Sequence, residues 1–176
     1  MSIREFVLKS QGEWSSMRTS HSLAFQKFEE IQSELLIQLV PSEDKEVKKQ
    51  LIQFPKINGD IVQPFSIEWS SESYWDSPKI PEKEKGKSLL IPIEKTKSEG
   101  KIIKTQGYLE NIKAISEYLF LSDGTLILNT EYGNSIAEER IWFVSDNLRC
   151  RSSVIKSKNN LGIFQTSYAS ELRKIK

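Results

Sequence analysis

From Lys101 to Ala169 the chain is cut into short runs rich in β-branched and aromatic residues, separated by polar turns at hairpin spacing. No other feature constrains the fold as much. The pattern is that of a β-meander. It predicts strands at Lys101–Glu110, Ala114–Leu121, Thr125–Glu131, Ala137–Ser145, Leu148–Lys156 and Leu161–Ala169. Ser122-Asp123-Gly124 and Asp146-Asn147 supply turn chemistry, because Asp, Asn and Gly tolerate the left-handed backbone of tight hairpins.

The first half is less regular. Phe25, Phe28, Ile31, Leu35 and Leu39 would fit a helical stripe, yet the same stretch divides into two strands, Trp14–Ala24 and Glu30–Val40, with a polar break near Gln26-Lys27. The two-strand reading is favoured. Ser42–Phe54 is expected to be helical: Ser42 or Asp44 can cap it, Val47, Leu51 and Ile52 form an apolar stripe, and Pro55 ends it. Phe65–Ser70 and Ser88–Ile93 complete the strands, and the charged run Glu82–Lys87 between them reads as a solvated loop. The total is an all-β chain of about ten antiparallel strands with one or two short helices, within the range of a barrel or sandwich. At 176 residues, positions 1–176 are expected to form one domain.

Composition narrows the chemistry. Lys and Arg total 25 against 24 Asp and Glu, so no general attraction to nucleic acid or anionic membranes is expected. No run approaches the ~20 apolar residues of a spanning helix, and the amino-terminal segment lacks a signal-peptide core; an intracellular protein is expected. A single cysteine, Cys150, and a single histidine, His21, leave no multi-thiolate metal site and no His-based triad.

In Leu148-Arg149-Cys150-Arg151-Ser152-Ser153-Val154, alternation puts Arg149, Arg151 and Ser153 on one strand face and Cys150, Ser152 and Val154 on the other. Two guanidiniums roughly 6.6–6.8 Å apart along a strand can each grip a carboxylate through two parallel hydrogen bonds. By spacing alone the pair fits either a solvent-facing surface, where arginine usually sits, or a wall that holds a ligand with two carboxylates. In Glu138–Phe143, Glu139 shares a face with Ile141 and Phe143 and would approach the arginines across the hairpin, as a cross-strand salt bridge or as a ligand-facing carboxylate. Trp69, Tyr74 and Trp75 cluster where a strand passes into a polar loop, which suits either a barrel mouth or a core plug. Cys150 is read as a small buried hydrophobe and His21 as a structural hydrogen-bonding residue. Gly12-Glu13-Trp14 has the Gly-x-Trp spacing with which lipocalin-like barrels open their first strand, the tryptophan closing the base.

Taken with Trp14–His21, Trp69, Trp75, Gly107-Tyr108, Asp123–Leu126, Glu139–Phe143, Asn147–Arg151 and Thr166–Glu171, the chain resembles the S-type phycobiliprotein lyases over essentially its whole length. The resemblance implies a ten-stranded lipocalin-like barrel that binds a phycobilin as substrate, with no tightly bound cofactor. It also implies thioether attachment of that bilin to a cysteine of an apo-phycobiliprotein. Binding positions carried over are Arg18, Trp69, Trp75, Glu139, Arg149, Arg151, Ser153 and Glu171. The arginines Arg149 and Arg151 would hold propionates, the tryptophans would shape or stack on the chromophore, and Glu139 and Glu171, the catalytic candidates, would meet the pyrrole nitrogens or restrain wrong additions.

The acceptor thiol belongs to the partner, so Cys150 needs no catalytic role and proximity would carry much of the rate. Arg149 and Arg151, on a ligand-facing wall, are expected to be dispensable for folding. The expected partner is a phycobiliprotein subunit, the β subunit preferred, with the bilin handed over by a bilin reductase. Pairing of two copies through barrel faces is also expected, in a cyanobacterial cytoplasm or a plastid stroma. A Lys-, Ile- and Asn-rich composition points to an AT-rich picocyanobacterial genome and so favours phycoerythrobilin over phycocyanobilin. The stretch Pro78–Lys104 carries no motif with an assignable role.

Overall fold

A computed structural model describes residues 1–23, 25–55, 57–74, 83–105, 114–159 and 162–175. In chain order the elements are α1 (Ile3–Ser10), β1 (Gly12–Ser22), β2 (Lys27–Leu39), α2 (Lys45–Ile52), β3 (Asp60–Ile61), β4 (Phe65–Tyr74) and β5 (Lys83–Thr96). They continue with β6 (Glu99–Lys104), β7 (Ala114–Phe120), β8 (Leu126–Tyr132), β9 (Ser135–Phe143), β10 (Leu148–Ser157) and β11 (Ile163–Arg173). Every pairing is antiparallel, and apart from the two-residue β3 each strand lies beside its neighbours in sequence. β1 also pairs with β11, from Trp14↔Arg173 to Ser22↔Gln165, so the meander closes into a ten-stranded barrel. Closure removes the unpaired edges that an open sheet of this size would expose.

β5 forms the corner of that closure. Its first half pairs with β4 and its second half with β6, and Leu90 is shared, facing Phe65 on one side and Lys104 on the other. This overturns the loop expected at Glu82–Lys87, because strand pairing begins at Lys83. The reason is that pairing is a backbone property, and the outward face of an antiparallel sheet can stay in water. Lys87, for example, sits opposite Glu68 and meets its carboxylate at 2.6 Å on that face.

The two strands expected between Trp14 and Val40 are observed, and the break between them includes Gln26 at φ 52°. The competing helical stripe fails because Phe25 and Phe28 are exposed, whereas Ile31 and Ile37 are buried by alternation. The expected helix is shortened to α2, capped by the Asp44 side chain on Glu46 N. Val47 and Leu51 of α2 pack on the outside of the barrel over Leu89, Ile91, Ile93 and Ile103, while Ile52, expected in the stripe, faces solvent.

α1 was not anticipated, although its signals are present. Ser2 and Glu5 form a reciprocal capping box, and Ile3, Phe6 and Val7 recur at helical spacing. Those three residues plug one end of the barrel, where Phe6 meets Phe120 at 5.8 Å and Phe143 at 5.5 Å. Trp14 is fully buried against this plug and donates its indole N–H to Ser10 O at 2.8 Å, so the expectation that it closes the base holds. A buried aromatic of this kind stabilises by roughly 1.5–3 kcal/mol, which makes α1 part of the core.

Candidate functional site

Above the α1 plug, the barrel interior holds a cavity of about 340 Å3, within the usual size range for small-molecule sites. Ile3 and Phe6 form part of its floor, and Leu35, Phe65, Ile67, Leu90, Ile102, Leu126, Leu128 and Ile141 supply apolar lining. The polar lining is concentrated on β1, β11, β10 and β9, where pairing register stacks it in three rows. Ser16, Glu171, Arg149 and Phe143 lie side by side in the first, then Arg18, Ala169, Arg151 and Ile141, then Ser20, Ser167, Ser153 and Glu139.

The first row carries a buried ion pair: Arg149 Nε donates to Glu171 Oε2 at 2.5 Å. The Arg149 guanidinium also lies 5.0 Å from the Trp14 ring centroid and 5.9 Å from that of Phe143. In the second row the small side chain of Ala169 separates Arg18 from Arg151. Arg151 Nη1 lies 3.7 Å from Glu139 Oε1, and its Nε lies 3.8 Å from Glu171 Oε1, so one guanidinium bridges both glutamates. In the third row the Ser153 and Ser167 hydroxyls are 2.8 Å apart. From β6, with β7 and β8 between it and β9, Lys104 Nζ reaches Glu139 Oε2 at 3.3 Å.

Electrostatics follow from this layout. Burial pushes the Glu139 carboxyl up, but Lys104, Arg151 and Arg18 outweigh it and hold the group below the usual carboxylate range. Burial acts likewise on Glu171, and Arg151 and Arg149 overcome it. Both glutamates are therefore ionised acceptors at neutral pH. Burial and then the neighbouring Arg151 charge draw Arg18 down, whereas Glu171 and Glu139 raise Arg151 against its burial. Among the described residues, four cations (Arg18, Lys104, Arg149 and Arg151) thus face two buried carboxylates, with a third carboxylate, Glu84, exposed at the margin. Arg149 Nη2 and Arg151 Nε are buried with no hydrogen-bond partner among the described residues. Each such donor costs about 1–3 kcal/mol until an acceptor reaches it.

Of the expected site residues, Arg18, Trp69, Glu139, Arg149, Arg151, Ser153 and Glu171 all line this one cavity, and Trp75 lies outside the described residues. Cys150 is buried but sits on the opposite strand face from the arginines. Arg149 is a correction in one respect: it was expected to be dispensable for folding, yet it is 2% exposed and locked to Glu171, so it belongs to the interior. Lys104, Tyr132 and Gly86 escaped sequence reasoning. Lys104 could have been found from its alternation with the buried Ile102; Gly86 could not, since its role is a cross-strand contact. A Cβ at Gly86 would lie 2.1 Å from Trp69 Cζ2, so the missing side chain is what lets the indole lie flat against β5.

The family model described as CpeS-like protein matches residues 2–174. The chain belongs to the CpeS-like family. Among CpeS-like relatives, it is 41% identical over 175 residues to a chromophore lyase CpcS/CpeS of Trichodesmium erythraeum, covering 98% of this chain and 99% of that one. It is 37% identical over 152 residues to a Microchaete diplosiphon protein provisionally named phycoerythrobilin lyase CpeS, covering 85% of this chain and 66% of that one. The solved S-type phycobiliprotein lyase CPES of Guillardia theta superposes with a TM-score of 0.85 at 30% identity, over 100% of this chain and 94% of that one. The ten-stranded barrel expected from the resemblance is therefore the CpeS-like fold. No helix among the described residues is long and apolar enough to cross a membrane.

Proposed function

We propose that residues 1–176 act as a single bilin-binding domain, a chromophore lyase that holds a phycobilin in the barrel and presents it to a cysteine thiolate of an apo-phycobiliprotein. The observation that carries this reading is the surplus of cations over buried carboxylates, among the described residues, in a cavity that also offers a broad apolar lining. A linear tetrapyrrole is a long apolar chromophore with two propionates, and it complements both features. Arg149 and Arg151, through the donors that lack partners among the described residues, together with Arg18, would receive the carboxylates. Trp69, given room by Gly86, would support the ring plane, with Ser153 beside it in the lining, and the resemblance adds Trp75 as a further contact.

Glu139 and Glu171, ionised by the cations around them, are acceptors for pyrrole N–H groups rather than acids. In the reaction the partner's thiolate sulfur bonds to the ethylidene carbon on ring A. The ethylidene double bond opens and the adjacent ring carbon takes a proton from solvent. The chain contributes orientation and exclusion of competing nucleophiles. Cys150 stands on the other strand face, which supports a thiol supplied by the partner.

Phycoerythrobilin is the preferred substrate and phycocyanobilin the second. The preferred acceptor is a phycobiliprotein β subunit, with the bilin received from a bilin reductase in a cyanobacterial cytoplasm or plastid stroma. Pairing of two copies is proposed on the same footing. The test is co-expression with each bilin pathway and each apo-subunit. Chromophore that survives acid urea on the subunit supports the lyase; bilin bound with a spectral shift but never transferred supports a carrier or one subunit of a heteromeric lyase.

A further inference from the structure

Among the described residues, Lys104 is the one cation lining the cavity that comes from outside the arginine-bearing wall. It ends β6, while its partner Glu139 lies on β9, so the ion pair spans the two intervening strands, β7 and β8. Room for that span is built in. The interior positions near it on those strands include Ala114, Ser116 and Thr130, all small and buried, and the two hydroxyls satisfy each other at 2.6 Å. Alternation aims Lys104 inward with Ile102, whereas Ile103 faces out beneath α2. The side chains of Lys104 and Glu139 are 13% and 12% exposed, so solvent screens their attraction weakly.

We propose that Lys104 is a positioning residue that fixes the Glu139 carboxylate, from β6, as the acceptor facing the ring nitrogens of the bound tetrapyrrole. The inference rests on the bilin-lyase reading. Without Lys104, the one ion pair left to Glu139 among the described residues would be the longer contact to Arg151, at 3.7 Å, and the carboxylate would be less restrained. Among the described residues, Lys104 of β6, Arg151 of β10 and Arg18 of β1 stabilise the charge of Glu139, while Glu171 of β11 opposes it and Tyr132 of β8 adjoins it. Of the cations in ion-pair contact with Glu139 among the described residues, Lys104 is the nearer, at 3.3 Å against 3.7 Å for Arg151, and unlike Arg151 it is not shared with Glu171.

The experiment uses full-length protein with K104M, K104R and E139Q. The carboxyl carbon of Glu139, assigned by its loss in E139Q, is titrated by NMR in 13C-glutamate-labelled apo-protein. The expected result is a titration shifted to higher pH in K104M and returned to the wild-type position in K104R; an unshifted K104M, folded by circular dichroism, overturns the proposal. Should K104M not fold, K104Q, which keeps the polar reach without the charge, takes its place. A parallel absorbance titration with phycoerythrobilin is expected to show a pH-dependent spectrum for the K104M complex and a flat one for wild type and K104R. A wild-type protein that binds no bilin sinks the lyase reading, while the apo-protein titration still decides whether Lys104 governs Glu139.

Discussion

Arg149 and Glu171 face each other directly across β10 and β11, Nε to Oε2 at 2.5 Å, each side chain 3% exposed. The pair lies in the row just above the α1 plug, beside Trp14 and Phe143, and lines the cavity. Each charge is held there by the other. The arrangement divides labour within the arginine pair: Arg149 anchors Glu171, and Arg151, one row higher, bridges Glu171 to Glu139.

Breaking the anchor leaves an uncompensated buried charge. R149A is expected to cost about 3–5 kcal/mol of stability, and E171A a similar amount. Replacing both by methionine removes both charges at similar volume and is expected to recover most of the loss. Urea midpoints of the three variants and wild type measure this. Equal losses in the single and double variants would show that the ion pair is not the source.

Arg151 is more accessible, at 25% side-chain exposure, and its contacts are longer. R151A is expected to stay folded with a small change in midpoint but to retain bilin poorly. A lost hydrogen bond to a charged group is worth about 1.5–3 kcal/mol, or roughly a 10- to 100-fold weaker Kd. An absorbance titration with phycoerythrobilin reads the affinity, and unchanged binding removes Arg151 from the ligand wall.

The buried glutamates make stability pH-dependent in a defined direction. Glu171 titrates below its ordinary range in the folded chain, so its contribution is complete above the unfolded carboxylate pKa. That contribution is lost as the pH falls through the depressed folded value. Wild type is expected to hold a constant urea midpoint from neutral pH down to the ordinary carboxylate range and to lose stability below it. E171Q, less stable at neutral pH because Arg149 is then unpaired, is expected to show a shallower acid slope. Parallel slopes would assign the acid sensitivity to other carboxylates.

Gly86 tests the indole platform. G86A places a methyl 2.1 Å from Trp69 Cζ2, so either the indole or β5 has to shift. Overpacking of this kind costs typically ~1–3 kcal/mol. The expected signature is a displaced Trp69 environment together with weaker bilin binding, and a smaller penalty when G86A is combined with W69L. Additive effects of the two substitutions would separate Gly86 from Trp69.

Local alternation along single strands was sufficient to group Arg149, Arg151 and Ser153 on one face with Cys150 turned away, and to set Glu139 with Ile141. Turn chemistry and β-branched runs were sufficient for the meander from Ala114 onward. These features depend on neighbours within a few residues, which a sequence displays directly. Arg18 and Glu171 entered through motif resemblance, and geometry then showed why they belong with Glu139 and the arginines: closure of β1 onto β11 puts Arg18 beside Arg151 across Ala169.

Whether the arginines faced water or the interior was undecidable from spacing, since either face of a strand can be the wet one. Barrel closure and the α1 plug decided it. The paired backbone of the charged run at Lys83–Lys87, the Gly86 seat for Trp69 and the reach of Lys104 to Glu139 were likewise settled only in three dimensions. Each depends on register between separate strands rather than on the order of residues within one. Register is set by the summed packing of the whole interior, so it is a property of the closed barrel and not of any one segment.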